Sequence, residues 1–336
     1  MKLISQKKQI YGIGAPLATY LREFGRWLSL PVSYGDLLRY KHSVTLYDQD
    51  ENDSLWITVT YDPSEKEEIE HGLLQIYSLL RAEGNIDLIE HLVVDRIDLC
   101  LYGNTKPFRI RIINTLNDNF DYFYVKYADA SRVYGLELEH ILSPYRIAFL
   151  VHGSTLIEEH IYGIPGDAFI ERYMDDHLNE VRLAKEFVKF NERCFIRLLG
   201  DMHSSNYVVD ITLDLEQNIY RIRAIDFDQQ CYEGHKKVYL PQYFKENLSV
   251  VKLVSSNLTS ESIKQYQYEE KSLIHKRMIS SHYRMKLLLK VMIQDQIAPT
   301  KHVKSLAYEL SKHYNNDKFL SATTMGWLLQ YSLEEL

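Results

Sequence analysis

The sequence predicts an α+β chain with two lobes, an antiparallel β-sheet lobe followed by a mainly helical lobe, preceded by an N-terminal accessory segment. Three observations predict this order. Short β-branched and aromatic runs separated by turn residues fill much of residues 97–162, whereas apolar residues recur at helical spacing in residues 163–336. Residues 1–96 carry a hairpin and helices without a catalytic motif. A chain of 336 residues is long enough for two cores.

Composition and charge exclude several classes of protein. A hydrophobic content of 46% and a charged content of 25% are typical of globular chains, and a formal net charge of −7 gives no basic footprint for nucleic acid. No run of about 18 apolar residues predicts a membrane span, and the first residues lack the apolar core of a signal peptide. Cys100, Cys194 and Cys231 lack disulfide or zinc spacing. We therefore expect a cytoplasmic protein.

The accessory segment is predicted from periodicity alone. Apolar residues at helical spacing predict a helix over residues 17–28, and another from Ile69 to Leu80. Between them, β-rich runs at residues 44–47 and 55–61 flank a polar segment at residues 48–54, which predicts a hairpin. None of these elements carries a functional motif.

The sheet lobe begins with β-rich runs at residues 97–102, 108–116 and 121–128, which predict three successive antiparallel strands. Lys126 lies within the third run. A cation inside an apolar strand is costly unless an anion meets it, so Lys126 indicates an anionic partner. The alternative is an outward-facing lysine on an edge strand.

A helix is predicted next, over residues 131–142, followed by a hairpin of residues 146–151 and 155–159. The helix carries Glu137 and Glu139, which point about 160° apart, so at most one of them can pair with Lys126. Tyr134 and Ile141 indicate that the Glu137 face is turned inward, which favours Glu137. Apolar spacing then predicts a long helix over residues 175–192 and further helices over residues 241–336.

The most informative stretch is Gly200-Asp201-Met202-His203-Ser204-Ser205-Asn206, which lies between apolar runs and is followed by Asp226-Phe227-Asp228 after a second apolar strand. Asp201 and Asn206 are five residues apart, the spacing of the catalytic Asp and the metal-binding Asn in a kinase catalytic loop, and Asp226 falls where a second metal-binding Asp belongs. A carboxylate can orient an attacking hydroxyl, and amide and carboxylate oxygens suit Mg²⁺. Either half alone is also ordinary turn chemistry.

Residues 156–166 read Leu-Ile-Glu-Glu-His-Ile-Tyr-Gly-Ile-Pro-Gly. With the Gly-Asp-x-His-x-x-Asn loop, they resemble the hinge and catalytic loop of the aminoglycoside and choline phosphotransferase branch of the protein-kinase-like superfamily. The resemblance covers roughly residues 97–232 and implies a bilobal protein-kinase-like fold that binds ATP and Mg²⁺. It implies that Asp201 is the catalytic base and that Asn206 and Asp226 are magnesium ligands. The other implied residues are Lys126, Glu137, Gly103, Glu159, His160 and Ile161 for the nucleotide, and His203 and Asp228 for ordering the loop.

Three departures from the family pattern stand out. The helix glutamate follows Lys126 sooner than usual, the phosphate loop contains only Gly103, and a polar tip at residues 211–218 lengthens the hairpin before Asp226. A longer surface loop costs little free energy. No Ala-Pro-Glu anchor of a protein-kinase activation segment follows Asp228, which favours a small acceptor.

The resulting hypothesis is an ATP- and Mg²⁺-dependent phosphotransferase that moves the γ-phosphoryl group to a hydroxyl of a small molecule such as a sugar, an aminoalcohol or an aminoglycoside-like compound. It requires Lys126, Asp201, Asn206 and Asp226 to converge around a metal-bound triphosphate. Three alternatives remain open: an atypical, toxin- or effector-like protein Ser/Thr kinase, a nucleotide-binding pseudokinase with a regulatory or scaffolding role, and a structural assembly with coincidental motifs.

Overall fold

The structure, a computed structural model, confirms the predicted α+β class. Within the residues it describes, an antiparallel sheet of seven strands precedes a mainly helical C-terminal part. The described residues are 8–47, 51–81, 90–174, 178–213 and 218–336. Their contacts divide them into two units, the first made of the described residues up to Ala130 together with Ile147–His160, the second of Ser131–Arg146 and Ile161–Leu336.

The first unit is built on the seven-stranded sheet. Its strands are β1 (His42–Tyr47), β2 (Asp53–Thr60), β3 (Leu92–Cys100), β4 (Phe108–Asn114), β5 (Phe120–Tyr127), β6 (Phe149–His152) and β7 (Thr155–Glu159). Over the described residues their order is β1-β2-β3-β4-β5-β7-β6, and every pair is antiparallel. Strands β1 and β2, which come from the segment predicted as accessory, therefore lie in the same sheet as the strands of residues 97–162.

Alternation along the strands decides which face forms the core. In β4, Phe108, Ile110 and Ile112 are buried, whereas the residues between them are partly exposed. The same core takes in Ile69 and Leu73 from a helix at Pro63–Arg81. The helices of this unit are α1 (Ala15–Glu23), α2 (Tyr34–Leu37) and α3 (Pro63–Arg81). The hairpin and both helices predicted for this segment are thus present, but the predicted end of the first helix at residue 28 is wrong, because α1 ends at Glu23. Residues 48–50 of the polar segment lie outside the described residues.

The second unit is mainly helical. It contains almost all of α4 (Ala130–Leu142), then β8 (Ile164–Pro165), α5 (Gly166–Arg172), α6 (Glu180–Arg197), β9 (Tyr207–Leu213), β10 (Asn218–Ala224), α7 (Leu248–Asn257), α8 (Ser260–Ser280), α9 (His282–Gln294), α10 (Thr300–Tyr314) and α11 (Met325–Glu334). A small sheet, of three strands among the described residues, has the order β10-β9-β8. A search of the described helices finds none with the length and apolar content needed to cross a bilayer.

Helix α6 begins and ends later than predicted. Residues 175–177 of the predicted helix lie outside the described residues, and the predicted end at Glu192 is wrong, because α6 continues to Arg197. Its last turns are buried on all sides, and their charges are paired internally: Arg193 with Glu186, and Arg197 with Glu139. Buried charged pairs interrupt the apolar period that the sequence prediction relied on. The longer helix therefore ends three residues before the Gly200–Asn206 loop.

The start of α6 offers a first test. The side chain of Asn179 accepts a hydrogen bond from the N–H of Arg182 at 3.2 Å and so caps the helix. Asn179→Ala is expected to lower the free energy of unfolding by about 1 kcal/mol, because that N–H loses its acceptor. Urea unfolding followed by circular dichroism measures the difference. Asn179→Asp, which keeps an acceptor, is the matched control, and equal midpoints for the alanine and aspartate variants would contradict the capping role.

Candidate active site

The Gly200–Asn206 loop starts where α6 is terminated by Leu198 in a left-handed conformation, at φ 54°. Asp201 is also left-handed, at φ 61°, and its N–H donates to the carbonyl of Val238 at 3.0 Å. Aspartate tolerates this conformation better than most side chains do, and such backbone strain is concentrated at functional sites. The loop therefore holds Asp201 at a sharp turn, which follows the left-handed Leu198 and is fixed by the hydrogen bond to Val238.

Asn206 closes this loop. Its side-chain Nδ2 donates to the carbonyl oxygen of Asp201 at 2.7 Å, and its backbone N–H donates to His203 at 2.9 Å. Because the amide nitrogen is engaged, the side-chain orientation is fixed, and Oδ1 has no hydrogen-bond partner among the described residues. A partly exposed amide oxygen held in this way is suited to ligate a cation.

The strand pair β9–β10 brings Asp226 to the same place. The two strands pair from Leu213 with Asn218 to Tyr207 with Ala224, and the N–H of Ile225 then donates to the carbonyl of Asn206 at 3.0 Å. Asn206 and Asp226 therefore adjoin at the open end of one hairpin. Residues 214–217 of the predicted polar tip lie outside the described residues. Within the second unit, the structure thus brings together the Asp201, Asn206 and Asp226 segments that sequence spacing singled out.

Asp226 and Asp228 share a cation that the sequence analysis missed. The Nη1 atom of Arg132 donates to Asp226 Oδ1 at 2.7 Å and to Asp228 Oδ1 at 2.8 Å. Arg132 lies on α4 with its side chain 3% exposed, compared with 34% for Asp226. Gly135, one turn further on, permits the close approach of the helix, because a Cβ there would lie 2.9 Å from Cβ of Phe227. A buried arginine two residues from a helix start leaves no local signal in the sequence.

The residues around Asp226 fit a magnesium ion of the kind found with nucleotides. Mg²⁺ in such sites takes one or two protein carboxylates and completes its shell with water and phosphate oxygens. Asp226 has a carboxylate, and Asn206 has an Oδ1 without a hydrogen-bond partner among the described residues, which are the oxygen groups that such a site uses. The described residues contain no cluster of three or more His, Cys, Asp or Glu side chains arranged to hold a metal unaided. A metal here would therefore depend on ligand phosphates.

Lys126 is in the first unit, in an interior strand of the sheet and 8% exposed, so the alternative of an outward-facing lysine on an edge strand is wrong. Its Nζ donates to Glu158 at 2.7 Å and lies 5.2 Å from the ring centre of Tyr124. Glu158 is 3% exposed and lies on β7, where Leu156 is the register partner of Lys126. The predicted anionic contact is thus provided by a strand glutamate that the sequence analysis did not select.

The two helix glutamates have arginine partners in the second unit. Glu137, which is fully buried, accepts two hydrogen bonds from Arg284, at 2.6 Å from Nε and 2.9 Å from Nη2. Glu139 is bound by Arg197, as described above. Glu137 was predicted as the partner of Lys126, whereas the contact found here is with Arg284, and a two-point arginine contact is a strong form of ion pairing. Its role toward a nucleotide stays a prediction.

The residues predicted for the hinge are firmly held. The carboxylate of Glu159 accepts from the N–H of Ala148 and pairs with Arg81, both at 2.9 Å. The ring of His160 contacts the hydroxyl of Tyr124 at 3.1 Å, and burial lowers the pKa of His160 and raises that of Tyr124 to about 12. Both groups are therefore uncharged at neutral pH.

The remaining predicted residues are Ile161, Gly103 and His203. Ile161 is buried. Gly103 has φ 88° in the loop between β3 and β4, with open space where a Cβ would stand. The backbone N–H of His203 donates to Asp201 at 2.9 Å, and its ring Nδ1 lies 3.0 Å from the hydroxyl of Ser205. These two contacts of His203 lie within the loop, and its loop-ordering role stays a prediction.

Comparison with known proteins gives no family assignment. No family model matches the chain, and no curated protein matches it. Among solved structures, a chain described as "Titin kinase and its flanking domains" matches at 13% identity with a TM-score of 0.27, over 82% of this chain and 64% of that one. This chain therefore spans less than two thirds of that structure. A similarity at this level carries no argument about function, which must come from the site.

Proposed function

We propose that this protein is a kinase-like phosphotransferase that uses ATP and Mg²⁺ to phosphorylate a hydroxyl group of a small molecule. One observation carries the proposal: the Asn206 side chain is hydrogen bonded to the main-chain carbonyl of Asp201 while the main-chain carbonyl of Asn206 accepts from Ile225, so that the segments bearing Asp201, Asn206 and Asp226 adjoin. These are the residue types that phosphoryl transfer requires, in the chain order expected of a kinase catalytic loop.

The chain's own groups would divide the work. Asp201 accepts the proton of the acceptor hydroxyl and aligns its oxygen for in-line attack on the γ-phosphorus. Asn206 and Asp226 hold Mg²⁺, which when bound neutralises charge on the nucleotide phosphates. Lys126, predicted as the phosphate contact, is a buried cation of the first unit that pairs with Glu158. The aminoglycoside and choline phosphotransferase resemblance, together with the missing Ala-Pro-Glu anchor, supports a small acceptor such as a sugar or an aminoalcohol.

Nucleotide binding can be tested before any acceptor is known. The melting temperature is measured with ATP, ADP and GTP, each with and without magnesium. We expect the melting temperature to rise only when both a nucleotide and magnesium are present. At a ligand concentration 100 times the Kd, the stabilisation is about 2.7 kcal/mol. No rise with any nucleotide would contradict the proposal.

A charge-balanced variant makes this test specific to Lys126. Removing Lys126 alone would take the cation away from the buried carboxylate of Glu158, which costs free energy regardless of any nucleotide. The double variant Lys126→Met with Glu158→Gln removes both charges, and we expect it to melt near the wild-type temperature without the nucleotide-dependent rise. Lys264→Met, an exposed change on α8, is the matched control and should keep the rise.

A second candidate is a pseudokinase that binds nucleotide without transfer. The contact between Arg132 and Asp226 favours it, because a cation on the proposed metal ligand weakens the attraction for Mg²⁺. Nucleotide binding that is indifferent to magnesium, without turnover on any hydroxyl acceptor, would select this candidate over an active enzyme.

A further inference from the structure

A polar cavity in the second unit is separate from the Asp201, Asn206 and Asp226 segments. It has a volume of about 430 Å³ and is lined by the C-terminal end of α4 with the turn that follows it, the C-terminal end of α8, and the start of α9. Three arginines, Arg146, Arg277 and Arg284, line this one cavity together with His140. Such a concentration of cationic side chains is unexpected in a chain with a formal net charge of −7.

Two of the three guanidinium groups have no carboxylate partner among the described residues. Arg284 is bound by Glu137. Arg277, in contrast, donates only to a main-chain carbonyl, that of Leu142, at 3.3 Å, and Arg146 is exposed with no ion pair in the described part of the chain. Burial lowers the pKa of Arg277, although Glu270 partly offsets that effect. An anion entering the cavity would supply the charge that this half-buried guanidinium lacks.

The start of α9 adds donors on the same side. Ser281 precedes the helix, and its hydroxyl caps none of the helix N–H groups. Ser281 lines the cavity together with Ser280, whose hydroxyl donates to the carbonyl of Arg277 at 2.9 Å. The N-terminus of a helix of 13 residues carries partial positive charge and unpaired N–H groups, which favour an anion. Three arginines, two serines and the start of a helix thus line one small volume.

We propose that this cavity is a second ligand site, which binds the phosphate group of a small phosphomonoester. A phosphate dianion matches the two unpaired guanidinium groups in charge, and arginine binds phosphate through paired, directional hydrogen bonds. The volume accommodates a phosphate with a small organic body, in the range of known ligand pockets. The inference does not depend on the proposed transferase activity, since neither Asp201 nor a metal takes part.

The test is titration calorimetry of the full chain with inorganic phosphate and with phenyl phosphate, in the presence of EDTA and without nucleotide, at constant ionic strength. Saturable binding is expected, and Arg146→Gln and Arg277→Gln are each expected to weaken it by roughly tenfold through loss of charge-assisted hydrogen bonds. Arg146 is exposed, so its replacement should not disturb folding. Arg182→Gln, also exposed, is the matched control and should bind as the wild type does.

Three outcomes would overturn the proposal. The first is an equal Kd in the wild type and in the Arg146→Gln, Arg277→Gln double variant. The second is a response that sulfate and chloride reproduce without saturation, since this would be an ionic-strength effect. The third is tighter binding of a phosphoserine peptide than of phenyl phosphate that is lost in the same variants, because this would replace the small molecule with a phosphorylated protein.

Discussion

Asp201→Asn is expected to lower the rate of ATP-dependent phosphoryl transfer by about 10²–10⁴-fold, the range contributed by a positioned general base. Asparagine is the right replacement because Asp201 is left-handed, and asparagine adopts that conformation readily while alanine does not. The change removes the carboxylate and preserves the shape, so the magnesium-dependent thermal shift with nucleotide should persist. The rate is measured as ADP release, first with water and then across a panel of hydroxyl acceptors.

The control for this experiment is Asp210→Asn. Asp210 is a partly exposed carboxylate on β9, 4.0 Å from Arg221 and beyond the catalytic loop in the chain. It tests whether removing any one negative charge from this hairpin slows turnover. Equal rates in Asp201→Asn and the wild type would remove Asp201 from the mechanism, whereas equal losses in both variants would show that the effect is not specific to the loop.

Local sequence patterns were sufficient to predict that the segments carrying Asp201, Asn206 and Asp226 lie close together. Asp201 and Asn206 are joined by a short loop, and a hairpin brings the chain back at Asp226, so their proximity follows from spacing and turn chemistry. The seven strands could be found for the same reason, since each is a short β-rich run bounded by turn residues. Some strand ends differ from the predicted ones because pairing with a neighbouring strand extends the strand. For example, β3 begins at Leu92 rather than residue 97, because it pairs with β4 as far as Asn114.

The partners of the charged residues could not be found in this way. Lys126 and Glu158 are 32 positions apart, and Arg132 and Asp226 are 94 positions apart. Glu158 precedes the predicted Glu159, but alternation along β7 puts the two side chains on opposite faces, so a shift of one residue changes the assignment. Arg132 looks like any arginine near a helix start. Only the packing of α4 against the Asp226–Gln230 segment reveals it.

The contact between Arg132 and the aspartate pair leads to the second large effect. Arg132→Gln is expected to lower the free energy of unfolding by about 3 kcal/mol in the absence of magnesium, because it leaves the carboxylate of Asp228, 11% exposed, beside that of Asp226 without their shared cation. The same change removes the positive charge that lies beside Asp226, the proposed metal ligand. Magnesium should therefore bind the variant more tightly than it binds the wild type, and should restore part of the lost stability.

Chemical unfolding at a series of magnesium concentrations, with ATP held at one saturating concentration, measures both effects in one experiment. Stabilisation by a ligand grows with its concentration relative to the Kd. Curves of the free energy of unfolding against magnesium concentration should therefore converge for the variant and the wild type as magnesium rises. Arg132→Lys keeps a cation and is the matched control, with a smaller loss of stability and a magnesium dependence close to that of the wild type. Parallel curves for Arg132→Gln and the wild type would mean that magnesium does not bind at Asp226, and the proposed metal site would then have to be abandoned.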